Sequence, residues 1–176
     1  WLEFWGRNFG PAMASHFIPA HYDALEPISL EDLEDRLLDP DFDLWLRHNT
    51  LSHQRDGYTG VLISLKSGQL PPGDATHQQM DALADLSDAF SGGRIVVTHR
   101  QNLVFPDVPT HELHRLWRQL KLLGLGASNG NRVSDIIACP GLDYCNLATA
   151  RSIDVAQGVI QRVENASERS KLGPIH

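Results

Sequence analysis

Residues 94–108, RIVVTHRQNLVFPDV, hold two β-rich runs separated by a short polar segment around His99-Arg100-Gln101. β-Branched and apolar residues on either side predict one strand over 94–98 and another over 102–108. The polar run Thr98-His99-Arg100-Gln101-Asn102 then falls at the strand-to-strand junction, where a solvated turn is the plain reading. Working outward, Gly92-Gly93 stops a helix that Asp74 or Thr76 can cap and that runs to Phe90. Met80, Leu83, Leu86 and Phe90, with Ala84, supply its apolar stripe. Further upstream, YTGVLISL (Tyr58 to Leu65) reads as a strand that ends in the turn signal Lys66-Ser67-Gly68, with Pro71-Pro72-Gly73 as punctuation. Downstream, Thr110 caps a helix with Leu113, Leu116, Trp117, Leu120 and Leu123 at 3–4 spacing, closed by Gly124. A last short strand fits Asp135 to Ala138.

The order is strand, helix, strand, strand, helix, strand, the α+β ferredoxin-like split βαβ arrangement (βαββαβ), over residues 57–127. Such a fold hosts many functions and assigns none. Residues 1–56 read differently. WLEFWGRNFG and HFIPAHY place aromatic residues among Gly, Pro and His without a sustained period, as in an arm packed over another surface. Within it, Ser29 and Asp32 form a capping-box pattern. Leu30, Leu33, Leu37 and Leu38 share one face of a short helix that Pro40 helps to end, and Glu31, Asp32, Glu34 and Asp35 lie on its wet side. A second short helix is expected from Asp41 to His48.

The 176 residues carry a formal charge of −7 and 41% hydrophobic residues. The acidic balance argues against a broad nucleic-acid surface, which needs concentrated Lys and Arg. No apolar run approaches the roughly 20 residues of a membrane span. Two cysteines in a chain of this length do not form a secreted disulfide scaffold, so a cytoplasmic protein is expected. The chain starts at Trp1 and ends KLGPIH, and is read as a segment of a longer protein.

Both cysteines lie in ACPGLDYCNLATARSI, residues 138–153. Cys139 is expected to close the last strand, Pro140-Gly141 to turn the chain, and Cys145 to open a helix to about Val163. Leu147, Ile153, Val155, Ala156, Val159, Ile160 and Val163 would be its apolar positions. A thiolate at a helix N-terminus gains from the macrodipole and unsatisfied N–H groups. Buried inert thiols, a metal or cluster site, and a dithiol switch all remain open on spacing, and two ligands do not complete a four-coordinate site. His111 and His114, three apart on a helix, are expected to be solvated. Met13 and Met80 read as packing residues.

DGYTGVLISLKSGQL, GGRIVVTHRQNLVFPDV and NRVSDIIACPGLDYCNLA together resemble the nitrite and sulfite reductase family that couples sirohaem to a 4Fe–4S cluster. The similarity runs from about Asp56 onward and is most specific in T-x-R-Q-N (Thr98 to Asn102) and C-P-G-x-x-x-C (Cys139 to Cys145). The resemblance implies the second of two ferredoxin-like repeats, followed over 128–176 by the start of a sirohaem- and cluster-binding lobe. It implies that Cys139 and Cys145 are the first two cluster ligands. The family's later C-x3-C pair, whose last cysteine bridges cluster and sirohaem, is absent from this sequence. It further implies that Arg100, Gln101, Thr98 and Asn102 hold the carboxylate-rich sirohaem. Arg132, after Asn129 and Asn131, would meet a macrocycle carboxylate or the bound anion; a surface salt bridge is its alternative.

The implied activity is six-electron reduction of sulfite to sulfide or nitrite to ammonia. Its implied partners are the small oxyanion, the remainder of the protein, and a flavoprotein or ferredoxin electron donor. Two rivals stand beside it: a ring-modifying precorrin oxygenase of cobalamin synthesis on the same scaffold, and a non-catalytic ferredoxin-like module with structural cysteines.

Overall fold

The computed structural model describes residues 39–66 and 69–165. The capping pattern at Ser29, the leucines and acidic run around it, and Met13 lie outside these residues. The first described element is helix α1, Pro40–Asn49. The Asp39 carboxylate caps it by accepting from the Asp41 and Phe42 amides, and Pro40 sits where no intrahelical N–H is required. Strand β1 (Thr50–Leu51) follows at once, then β2 (Tyr58–Ser64), helix α2 (His77–Phe90), β3 (Val96–Val97) and β4 (Asn102–Pro109). A 3-10 turn, Thr110–Glu112, leads into helix α3, Leu113–Leu122. Another, Gly141–Asp143, precedes helix α4, Ser152–Asn165.

The sheet order is β1-β2-β4-β3, antiparallel throughout, so β4 is inserted between β2 and β3, the two strands that α2 connects. This is the expected split βαβ core. The real capping box is on α2: the Gln79 amide donates to Thr76 Oγ1 at 3.1 Å, and the Thr76 amide to Gln79 Oε1 at 2.9 Å. The Gln79 side chain also donates to the Leu123 carbonyl, tying the start of α2 to the end of α3.

Pairing places Val61 opposite Phe105 and Ile63 opposite Leu103, on the face that the helices cover. Leu83 and Phe90 of α2 and Leu113, Leu116, Trp117 and Leu120 of α3 complete that core. The opposite face, with Leu62, Ser64, Val104 and Asn102, is buried as well. Both faces of β2 are therefore dry, with Thr59 and Ser64 buried alongside its apolar residues.

Several expectations need correcting. Residues 135–138 form no strand, and the sheet position beside β2 is taken by Thr50–Leu51. The Ala138 N–H and carbonyl are instead satisfied by one side chain, as described below. Residues 40–51 are not peripheral: Trp45 is fully buried, Phe42 packs 5.2 Å from Trp117 between ring centroids, and both belong to the core. His114 is buried between Phe42 and Trp117 rather than solvated. Met80 is 44% exposed because it lies on a cavity rim. The ladder over 94–98 shrinks to Val96–Val97, an exposed edge strand.

Helix α4 begins at Ser152, not at Cys145. The Leu142 amide donates to the Ala150 carbonyl, so the chain doubles back between these residues and cannot run as a continuous helix. Leu147 (92% exposed) and Val155 (68%) consequently contribute nothing to a buried face. The burial of Trp45 makes a specific expectation: Trp45→Ala should destabilise the fold by about 3–5 kcal/mol, read from urea unfolding followed by circular dichroism. A cost below about 0.5 kcal/mol, as for a surface residue, would show that α1 is dispensable.

Candidate functional site

The junction between β3 and β4 is built around a lysine. Lys66 lies two residues beyond the end of β2, and its side chain is fully buried. Its ammonium donates to the backbone carbonyls of Arg100 (2.7 Å) and Gln101 (2.9 Å) and to Asn102 Oδ1, and lies 3.2 Å from Asp135 Oδ1. These contacts hold the polar turn from beneath. Above it, the Thr98 amide and hydroxyl donate to the Asn102 carbonyl, and the Asn102 amide donates to Thr98 Oγ1. Desolvation pushes the Lys66 pKa below the ordinary lysine value, and the Arg100 charge pushes the same way; the Asp135 carboxylate opposes both.

Asn102 is committed to the interior. Its Oδ1 accepts from the Leu65 amide and Lys66, and its Nδ2 donates to Asp135 Oδ1 at 2.8 Å. Asp135 Oδ2 accepts from the Asn131 amide, which brings the 129–138 loop onto the buried outer face of the sheet. Asn129 Nδ2 donates to the Lys66 carbonyl. Gly130 permits the close approach: a Cβ there would lie 2.5 Å from the His48 carbonyl oxygen and 2.6 Å from Leu62 Cδ2.

Two further contacts cross from turn to loop. Arg100 Nη1 donates to Asn131 Oδ1. The Gln101 amide makes a two-point bond with one residue, Nε2 to the Ala138 carbonyl at 2.8 Å and Oε1 from the Ala138 amide at 3.1 Å. Gln101 and Asn131 have φ of 57° and 58°, and are the only non-glycine residues with positive φ among those described.

Cys139 follows Ala138 and is exposed; Cys145 is half-buried; both are free thiols. Gly141 between them has φ 61°, and a Cβ there would lie 2.5 Å from Ser152 Oγ and 2.7 Å from the Ala150 carbonyl oxygen. The Ser152 hydroxyl donates to the Cys139 carbonyl, and the Cys145 amide to the Gly141 carbonyl. The thiols therefore sit on a compact loop ahead of α4, not on its N-terminus. Among the described residues, no group of three or more His, Cys, Asp or Glu side chains is placed to hold a metal ion. A cavity of about 490 Å³ lies alongside, bounded by Pro72, Gly73, Met80, Gln101, Ala138 and Tyr144 among others.

The structure thus gathers Thr98, Arg100, Gln101 and Asn102 with the start of the cysteine loop. Arg132 is buried, and its Nη1 donates to His48 Nε2 at 2.9 Å. Lys66 and Asp135 are the residues that sequence reasoning passed over. Lys66-Ser67-Gly68 carries an ordinary turn signature, and the only hint of a buried pair was an acidic residue just ahead of Ile136-Ile137-Ala138.

Comparison with known proteins adds to this geometry. Residues 53–123 match the nitrite/sulfite reductase ferredoxin-like half domain. The chain is 32% identical over 83 residues to a sulfite reductase [ferredoxin] 2 of Mycolicibacterium paratuberculosis, covering 47% of this chain and 15% of that protein. It is 34% identical over 102 residues to an assimilatory ferredoxin-dependent nitrite reductase of Haloferax mediterranei, covering 57% and 16%. With the chloroplastic ferredoxin–nitrite reductase of Zea mays the identity is 28% over 148 residues, covering 79% and 24%. The chain therefore spans a quarter or less of these relatives' length.

Lys66→Met should destabilise by about 3–5 kcal/mol, because it leaves the Asp135 carboxylate buried without its cation. The pH dependence has a definite sign. With the folded pKa of Lys66 lowered, the unfolded chain binds this proton more tightly, so the group works against folding below the depressed value. Its contribution to stability rises as pH climbs through that value toward about 10.4, the ordinary lysine pKa. Urea midpoints across the alkaline range should show this rise in the wild type and not in Lys66→Met.

Proposed function

We propose that this chain, which carries a nitrite/sulfite reductase ferredoxin-like half domain and is distantly homologous to those reductases, is part of a sirohaem-dependent enzyme. The reaction proposed is six-electron reduction of sulfite to sulfide or of nitrite to ammonia. One observation carries the reading: two free cysteines in C-P-G-x-x-x-C lie on a loop fastened to the polar turn of that half domain.

In this reading Cys139 and Cys145 supply two thiolates to a 4Fe–4S cluster. The fit is partial. Both thiols are unpaired and reach the surface or near it, yet the described residues offer no third ligand beside them, and such clusters take four. The remaining ligands are assigned to other parts of the same protein. When bound, sirohaem and the cluster supply the electron transfer to the oxyanion.

This chain's own contribution is binding and orientation. Arg100 spends an Nη1 donor on Asn131 and keeps others of its planar fork for a macrocycle carboxylate. Arg132 adds positive charge from beside His48, directed toward a carboxylate or the bound anion. Thr98 and Asn102 shape the turn from within, and Gln101 reaches the loop backbone; any contact they make with sirohaem comes in addition to these bonds. Oxyanion, electron donor and the rest of the protein are the partners in this proposal.

The complete protein, purified anaerobically, should carry iron, acid-labile sulfide and tetrapyrrole absorption. Cys139→Ser and Cys145→Ser should each abolish the iron and sulfide. Unchanged iron content in either variant overturns the ligand assignment, and a wild-type protein with neither cofactor overturns the reductase reading.

A further inference from the structure

We infer that Gln101 is a positioning residue that sets the placement of the cysteine loop through the backbone of Ala138. The inference rests on the proposed function only in giving Cys139 its importance. Three independent observations converge on it. First, the two bonds from one carboxamide to the N–H and carbonyl of one residue, at 3.1 and 2.8 Å, reproduce what a neighbouring strand would provide. Residues 135–138 belong to no strand, so this side chain supplies, at the residue before Cys139, the two backbone bonds that a ladder would.

Second, the backbone bends to make this contact. Gln101 sits at φ 57°, a region that L residues other than Asn and Asp seldom occupy, and its carbonyl is held there by the Lys66 ammonium. The other left-handed non-glycine residue described, Asn131, lies in the same turn-to-loop contact, where it accepts from Arg100. Among the described residues, both non-glycine positions of positive φ thus fall at the junction that carries the cysteine loop.

Third, the opposite wall is cut to fit. Gly73 (φ 93°) lies against the Gln101 side chain, and a Cβ on Gly73 would be 3.0 Å from Gln101 Cβ and 3.4 Å from its Cδ. The carboxamide stem is held between this glycine and Ala138 and has little freedom to turn elsewhere. Gln101 therefore acts through Ala138 on Cys139 and is assigned no contact with reacting atoms.

The test uses the full chain and no cofactor. Gln101→Met keeps the stem and removes both hydrogen bonds. Amide exchange at Ala138 should accelerate about tenfold, the loss expected when a hydrogen bond of usual net strength leaves a local opening equilibrium. Exchange at Val61 and Ile63 in the central strand should not change. A nitroxide attached to Cys139 in a Cys145→Ser background should pass from a restricted to a mobile spectrum. If Gln101→Met fails to fold, Gln101→Glu serves: it keeps an acceptor for the Ala138 N–H and loses the donor, so a smaller change of the same kind is expected. A folded variant with wild-type exchange at Ala138 and an unchanged nitroxide spectrum overturns the inference. Neither readout depends on iron or tetrapyrrole, so the result stands apart from the cofactor analysis that decides the reductase reading.

Discussion

The Lys66 ammonium is the point on which the outer half of this structure turns. It lies with no solvent exposure among the carbonyls of Arg100 and Gln101, Asn102 Oδ1 and Asp135 Oδ1. Burying a charge costs several kcal/mol unless its hydrogen bonds and a counter-charge are supplied together. Here they come from two separate segments, the β3–β4 turn and the 129–138 loop. Neither segment can leave without stranding the charge, so one ion couples the two. A lysine suits the role because its compact head directs three donors to oxygens in different directions.

That coupling explains why the sheet is closed differently from the pattern in the sequence. Asp135 is drawn inward by Lys66 and Asn102, and the Gln101 side chain takes up the Ala138 backbone, so residues 135–138 join no strand. The edge beside β2 is then available to Thr50–Leu51, delivered directly by α1. Trp45 and Phe42 enter the core as part of the same arrangement.

What was legible in the sequence was local. The period of α2 and α3, the strand character of 58–65 and 102–108, and the glycine stops at 92–93 and 124 depend on neighbours within a few residues, and they recur in the structure with strand ends shifted by one residue. What was illegible depended on distant partners. Lys66 carries a turn signature, and only Asp135, far along the chain, turns it into a core residue. The apolar residues at 136–138 read as a strand because a side-chain carboxamide can satisfy a backbone as a strand does. Cys145 looked like a helix start because nothing in its vicinity reveals that residue 142 bonds to residue 150. The polar run 98–102 seemed solvated on pattern, yet Asn102 is almost wholly buried by atoms from residues 65, 66 and 135.

The distribution of charge bears on the proposed chemistry. An acidic chain is a poor host for an anionic substrate and a carboxylate-rich macrocycle, so any favourable field must be local. Lys66 reaches from the end of β2 to hold the turn that carries Arg100, and its charge is met at short range by Asp135. Arg100 donates to a neutral partner, the Asn131 side-chain amide. Two cations at this junction thus differ in their surroundings: a buried one holds the backbone, and a second pairs with a neutral amide. Under the proposed function, that difference would let the structural charge be satisfied internally while Arg100 meets a carboxylate of the ligand.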